Sequence, residues 1–100
     1  MIYIHYSQDE NNTNRMRELV DLWWNSDSII GQILKFVYDS GSGVSELELK
    51  DYITFSGSNN VNELYNELNR KKRGHSLIFE RSKNGITNIN EIAREYIATL

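Results

Sequence analysis

A chain of 100 residues with formal charge −3, 39% apolar and 25% charged residues has the composition of one folded domain with a single modest core. It leaves little room for the paired lobes that enclose many enzyme sites. Cysteine is absent, which excludes a disulfide frame and a thiolate metal site, and no apolar run approaches the roughly 20 residues that span a bilayer.

The opening segment "IYIHY" (2–6) is short, β-branched and aromatic and predicts a strand, followed by a polar turn, "SQDENN". Asn12 or Thr13 then caps a helix over about 14–25, with Met16, Leu19, Val20 and Trp23 at helical spacing. Leu22 and Trp24 widen that stripe. The extra width fits either a partner helix from a second subunit or a helix central to its own core. Ser28 caps a second helix, 29–39, whose Ile29, Ile30, Ile33, Leu34 and Val37 face inward, and "DSGSG" ends it. Ser45 with Glu48 forms a capping box for a short helix, 46–53. After "TFSGSNN", Asn60 with Glu63 reads as a similar start for a helix running to about 72, with Val61, Leu64, Tyr65 and Leu68 inside and Gly74 closing it. "SLIFER" (76–81) and "ITNI" (86–89) form a hairpin about Asn84-Gly85, a pair that favours tight hairpin turns. Asn90 caps a last helix to 100, with Ile92, Ala93, Tyr96, Ile97 and Leu100 on one face.

The charge is unevenly placed. Residues 70–83 hold Arg70, Lys71, Lys72, Arg73, Arg81 and Lys83 against Glu80 alone, while 13 of the 14 anions lie elsewhere. One basic patch on an acidic body suits a protein with one anionic contact face. The same cations would also complement the dipole at a helix C-terminus.

The order helix, short capped helix, glycine-containing turn, longer helix and hairpin over 45–89, "SELELKDYITFSGSNNVNELYNELNRKKRGHSLIFERSKNGITNI", resembles the winged helix-turn-helix superfamily. The part "LYNELNRKKRGHSLIFERSKNG" is similar to the recognition-helix end and wing of MarR-, ArsR- and PadR-type regulators. The turn "TFSGSNN" is longer than usual there, and "TNIN" (87–90) lacks the glycine those families often carry after the wing. The resemblance implies a mainly α fold with a small β-hairpin wing (α+β). It is a single domain over 1–100, divided into an N-terminal strand and helix (1–25), a helix-turn-helix (29–72), a wing (76–89) and a C-terminal helix (90–100). It also implies a homodimeric, sequence-specific double-stranded DNA-binding protein, a small transcriptional regulator with helix 60–72 in the major groove. On that helix Asn59, Asn62, Asn66 and Arg70 face outward, the asparagines suited to adenine edges and arginine to guanine. Lys71, Lys72 and Arg73 fall where phosphate is met, and Arg81 and Lys83 flank the wing tip. Leu22, Trp23, Trp24, Tyr96 and Leu100 are the candidate dimer interface.

Plasmid partition or replication control would use the same apparatus, and a winged helix serving as a protein-interaction module is the rival from another class. Glu63, Glu67 and the acidic body favour that rival. His5 and His75 have no metal-ligand spacing, and "GSG" (41–43) lacks the lysine of a phosphate loop, so the expectation is no enzyme, no cofactor and no metal. The N-terminus lacks a basic start and a small-residue cleavage site, from which a cytoplasmic protein is expected. The wealth of asparagine, isoleucine and serine hints at an AT-rich source such as a mobile element or virus.

Overall fold

The computed structural model describes residues 2–70 and 74–100, residues 2–11 by their backbone alone. Its elements are α1 (Ile2–Trp24), α2 (Ile29–Ser40), α3 (Glu46–Phe55), α4 (Val61–Glu67), α5 (His75–Ile78), β1 (Phe79–Arg81), β2 (Thr87–Ile89) and α6 (Glu91–Ala98). The fold is mainly helical with a small antiparallel sheet. No described helix is long and apolar enough to cross a membrane.

α1 and α2 meet at a sharp corner built from small groups. Ser26 donates its N–H to the Trp23 carbonyl, and the Ser28 hydroxyl accepts from the Gly31 N–H as the α2 cap. Gly31 is buried in the first turn of α2, where a Cβ would come within 2.3 Å of the Trp23 carbonyl oxygen and 2.6 Å of that of Ser26. Only glycine lets the two helices approach this closely, which offsets its helix cost of about 1 kcal/mol. From this corner Met16, Leu19, Val20 and Trp23 of α1 pack with Ile33, Leu34 and Val37 of α2 and Ala93 and Ile97 of α6 in one core. Leu49 and Ile53 of α3, Tyr65 and Leu68 around α4, and Ile78, Phe79 and Ile89 of the hairpin complete it.

The hairpin pairs Phe79 with Ile89, Glu80 with Asn88 and Arg81 with Thr87. Val44 extends the pairing by one residue on the far side of β2, since Val44 and Thr87 exchange both backbone hydrogen bonds at 2.8 Å. The chain just before α3 is thereby pinned to the sheet. Arg94 of α6 secures the same edge, donating to the Tyr38 carbonyl at 2.9 Å and to Asn88 Oδ1 at 2.7 Å.

Four expectations are corrected. Residues 2–6 form no strand; their backbone is the start of α1, so Asn12 and Thr13 lie within a helix rather than at its beginning. Between 2 and 24 there is neither glycine nor proline, so a helix anchored by packing at 16–23 runs back through the polar stretch. The helix expected over 60–72 is α4, ending at Glu67, and the Asn60 side chain makes no cap bond. The chain tightens there, with Asn69 and Arg70 donating to carbonyls three residues back. Asparagine has low helix propensity, which favours this early end. The strand expected over 76–81 begins as the short helix α5, and Gly74 stands at its start rather than closing α4. At the hairpin tip, Gly85 N–H donates to the Ser82 carbonyl and Ser82 N–H to that of Ile86. Lys83 and Asn84 are therefore the central pair, with Gly85 following at φ 79°, the three-residue loop of a bulged hairpin rather than a two-residue Asn-Gly turn.

Candidate nucleic-acid interface

α4 buries one side and exposes the other. Tyr65 is buried and Val61 and Leu64 are half-buried, while Asn59, Asn62, Glu63, Asn66 and Arg70 are exposed. Asn59, Asn62 and Glu63 line one shallow depression at the start of the helix, and Glu63, Asn66, Glu67 and Arg70 line a second further along. The two depressions share Glu63, so two carboxylates are set among the amides of the ladder. Arg70 lies past the end of α4, in a turn where its carbonyl accepts from Ser76 N–H. Lys71, Lys72 and Arg73 fall outside the described residues.

The two hairpin cations part company. Lys83 is exposed at the tip, but Arg81 turns inward. Its guanidinium lies 3.8 Å from the centroid of the Tyr65 ring and donates from Nη2 to the Tyr65 carbonyl at 2.7 Å. This arginine ties β1 to α4. Strand alternation explains why: residues 79 and 81 share a face, and Phe79 is buried on it. The same alternation was available in the sequence.

Around Tyr65 a small charged cluster forms. Lys50 Nζ lies 5.0 Å from the ring centroid and 2.7 Å from Glu46 Oε2. The hydrogen bond from Lys50 and its charge hold the Glu46 carboxyl below its ordinary range. Burial pushes the Tyr65 phenol up, with Glu46 adding to the shift and Arg81 opposing it. The phenol oxygen is sealed from solvent without a hydrogen-bond partner.

His75 is buried as well. Its Nδ1 stands 3.2 Å from the Glu67 carbonyl, and its ring packs 5.3 Å from that of Trp23. It holds the end of α4 from beneath and is not on the surface where a phosphate would be met. Nothing in the sequence spacing singles it out, because the bond depends on α5 folding back beneath α4.

The candidate dimer residues divide similarly. Trp23 is a core residue, 7% exposed, stacked 6.2 Å from Phe79, which removes it from any interface. Trp24 is half-buried, edge-on to Tyr38 at 5.5 Å. The Tyr96 hydroxyl donates to Asp21 Oδ1 at 2.7 Å, joining α6 to α1 within the chain, and that bond raises the phenol's pKa. Leu22 and Leu100 are exposed, at 66% and 56%. Among the described residues, no group of three or more His, Asp or Glu side chains is placed to hold a metal ion. The chain matches none of the protein-family models, curated proteins or solved structures compared with it.

Proposed function

We propose that the chain is a winged helix-turn-helix domain that binds double-stranded DNA with α4 in the major groove, and that it acts as a small transcriptional regulator. The observation that carries this reading is the two-sided build of α4. Its inner face is held by Tyr65, with Leu68 buried just beyond it, while Asn62 and Asn66 stand outward on the helix and Asn59 and Arg70 are exposed past its two ends, beside a hairpin whose tip presents Lys83. Val44 supports it, since its pairing to Thr87 ties the segment between α2 and α3 to the second strand of the hairpin. Asparagine meets adenine bidentately, arginine meets guanine, and Glu63 accepts from the amino group of cytosine. Arg81 serves this surface indirectly, by fixing the hairpin against α4. Two copies meeting through Leu22 and Leu100 would present two such helices to a near-palindrome with half-sites about one helical turn apart.

Selection of bound duplexes from a random pool, followed by titration of the enriched sequence at several salt concentrations, tests the reading. Affinity should fall steeply with salt, and Arg70→Ala should weaken binding by about 1–3 kcal/mol if that arginine meets a base. A folded sample that enriches no sequence and retains no duplex at low salt would refute it. Sedimentation of the wild type against Leu22→Glu tests the dimer separately.

A further inference from the structure

We propose that the outer face of α3 is a docking surface for a basic, amphipathic segment of a partner protein. α3 turns Leu49 and Ile53 into the core. At 100° per residue the opposite side carries Leu47, Asp51 and Phe55, which follow one another at four-residue spacing along a single ridge. Leu47 is 71% exposed and Phe55 90%, and Phe55 is the most exposed large apolar side chain among the described residues. Neither belongs to the core cluster.

The apolar surface continues inward from the ridge. Tyr52, three residues before Phe55 on α3, stacks on Phe36 of α2 with ring centroids 4.1 Å apart, and both rings are half-buried. The Tyr52 hydroxyl donates to the Gln32 carbonyl, at 3.4 Å, which fixes this ring pair against α2. A partner reaching Phe55 would therefore meet an aromatic floor beside it.

Charge selects the occupant. α3 carries Glu46, Glu48 and Asp51 against Lys50, whose ammonium is committed to Glu46. Glu48 completes the capping box with Ser45, and acids in the first turn suit the helix dipole. Capping accounts for neither Asp51 nor the two large apolar residues that flank it. Three carboxylates against one ammonium on α3 disfavour the phosphates of a nucleic acid and the anionic surface of a membrane. A second copy applied about a two-fold axis would set the acids against themselves. A segment with lysine or arginine between apolar side chains satisfies both features, pairing with Asp51 while covering Leu47 and Phe55.

The test needs no DNA, so its outcome is separate from that of the function proposed above. A random peptide library is selected on the immobilised wild-type chain, and enriched peptides are titrated against wild type, Phe55→Ser and Leu47→Ser. Thermal midpoints serve as the folding control, and exposure at both positions predicts that they stay unchanged. The expected result is peptides combining cations with apolar residues, bound roughly tenfold or more weakly by Phe55→Ser, as for loss of an aromatic anchor. The proposal is overturned if no peptide is enriched, if enriched peptides lack cations, or if their binding survives both substitutions. It is equally overturned if the wild type self-associates and Phe55→Ser abolishes that, which would give the ridge to a second copy.

Discussion

α2 and α4 begin from the same kind of sequence, a polar residue ahead of apolar residues at helical spacing, and they end up held by different forces. α2 has its own cap at Ser28, twelve residues of length and four buried positions, Gly31, Ile33, Leu34 and Val37. α4 has seven residues, no side-chain cap and one buried position, Tyr65. What keeps α4 in place comes from outside it: the Arg81 guanidinium on Tyr65, His75 beneath Glu67, and Leu68 in the core. A helix so short is not stable by propensity alone. The comparison teaches that α2 belongs to the body of the protein, whereas α4 is a surface element borrowing its order from the hairpin and α5. Regions of this kind open locally at lower free-energy cost than the core.

The largest expected difference between the two helices is in truncating their leucines. Leu34→Ala, at a fully buried position, should cost about 3 kcal/mol in chemical denaturation. Leu64→Ala, half-buried, should cost about 1 kcal/mol. Equal losses would break the comparison, because α4 would then be part of the core.

Next comes the tie itself. Arg81→Gln removes the charged donor to the Tyr65 carbonyl and the cation over its ring, which should cost about 1.5 kcal/mol. More telling than the total is its distribution. Amide exchange at Leu64–Leu68 should speed up while that of α2 follows only the change in global stability. If the two helices shift together, Arg81 is not what orders α4.

That division also explains what could be read from the sequence. The α2 helix and the Ser45–Glu48 box follow from local rules, namely caps and helical spacing, and they appear where those rules put them; a hairpin forms as expected, with a shorter first strand and a three-residue loop. The misreadings arise where tertiary context outweighs local preference. "IYIHY" has strand composition, yet Val44 already pairs on the far side of β2, and a helix continuous with the packed part of α1 satisfies its backbone instead. Asn60 with Glu63 has the spacing of a capping box, but Asn60 has φ −113° and ψ 51° and its side chain does not reach the helix N–H groups. The candidate surface was legible as a polar ladder on α4. The inward turn of Arg81 was legible only through strand alternation, and the burial of His75 was not legible at all.

The caps offer a smaller and sharper comparison. Ser28→Ala removes a real acceptor for the Gly31 N–H and should cost about 1 kcal/mol. Asn60→Ala removes a side chain that caps nothing and should change stability by less than about 0.5 kcal/mol. Thermal denaturation of the pair checks this directly. An equal loss at Asn60 would mean that α4 is capped in solution and has more autonomy than its geometry indicates.

The smallest effect is a pH dependence that belongs to α4. The Tyr65 hydroxyl is buried without a partner, and burial keeps its phenol protonated above the ordinary value of 10.0. A raised pKa in the folded state means that the neutral phenol contributes stability below about pH 10. That contribution is lost as pH rises through the folded value, since the unfolded chain releases the proton first. Tyr65→Phe retains a ring beneath Arg81 and removes an unsatisfied polar group, so stability at neutral pH should equal or slightly exceed that of the wild type. In the variant, the decline of stability above pH 10 should be shallower than in the wild type, and the residual slope should belong to Tyr96, whose bond to Asp21 raises its phenol too. A variant that is markedly less stable at neutral pH would show that the hydroxyl has a partner in solution. That partner would be Glu46, whose carboxylate already acts on it, and α4 would then be tied to α3 as well as to the hairpin.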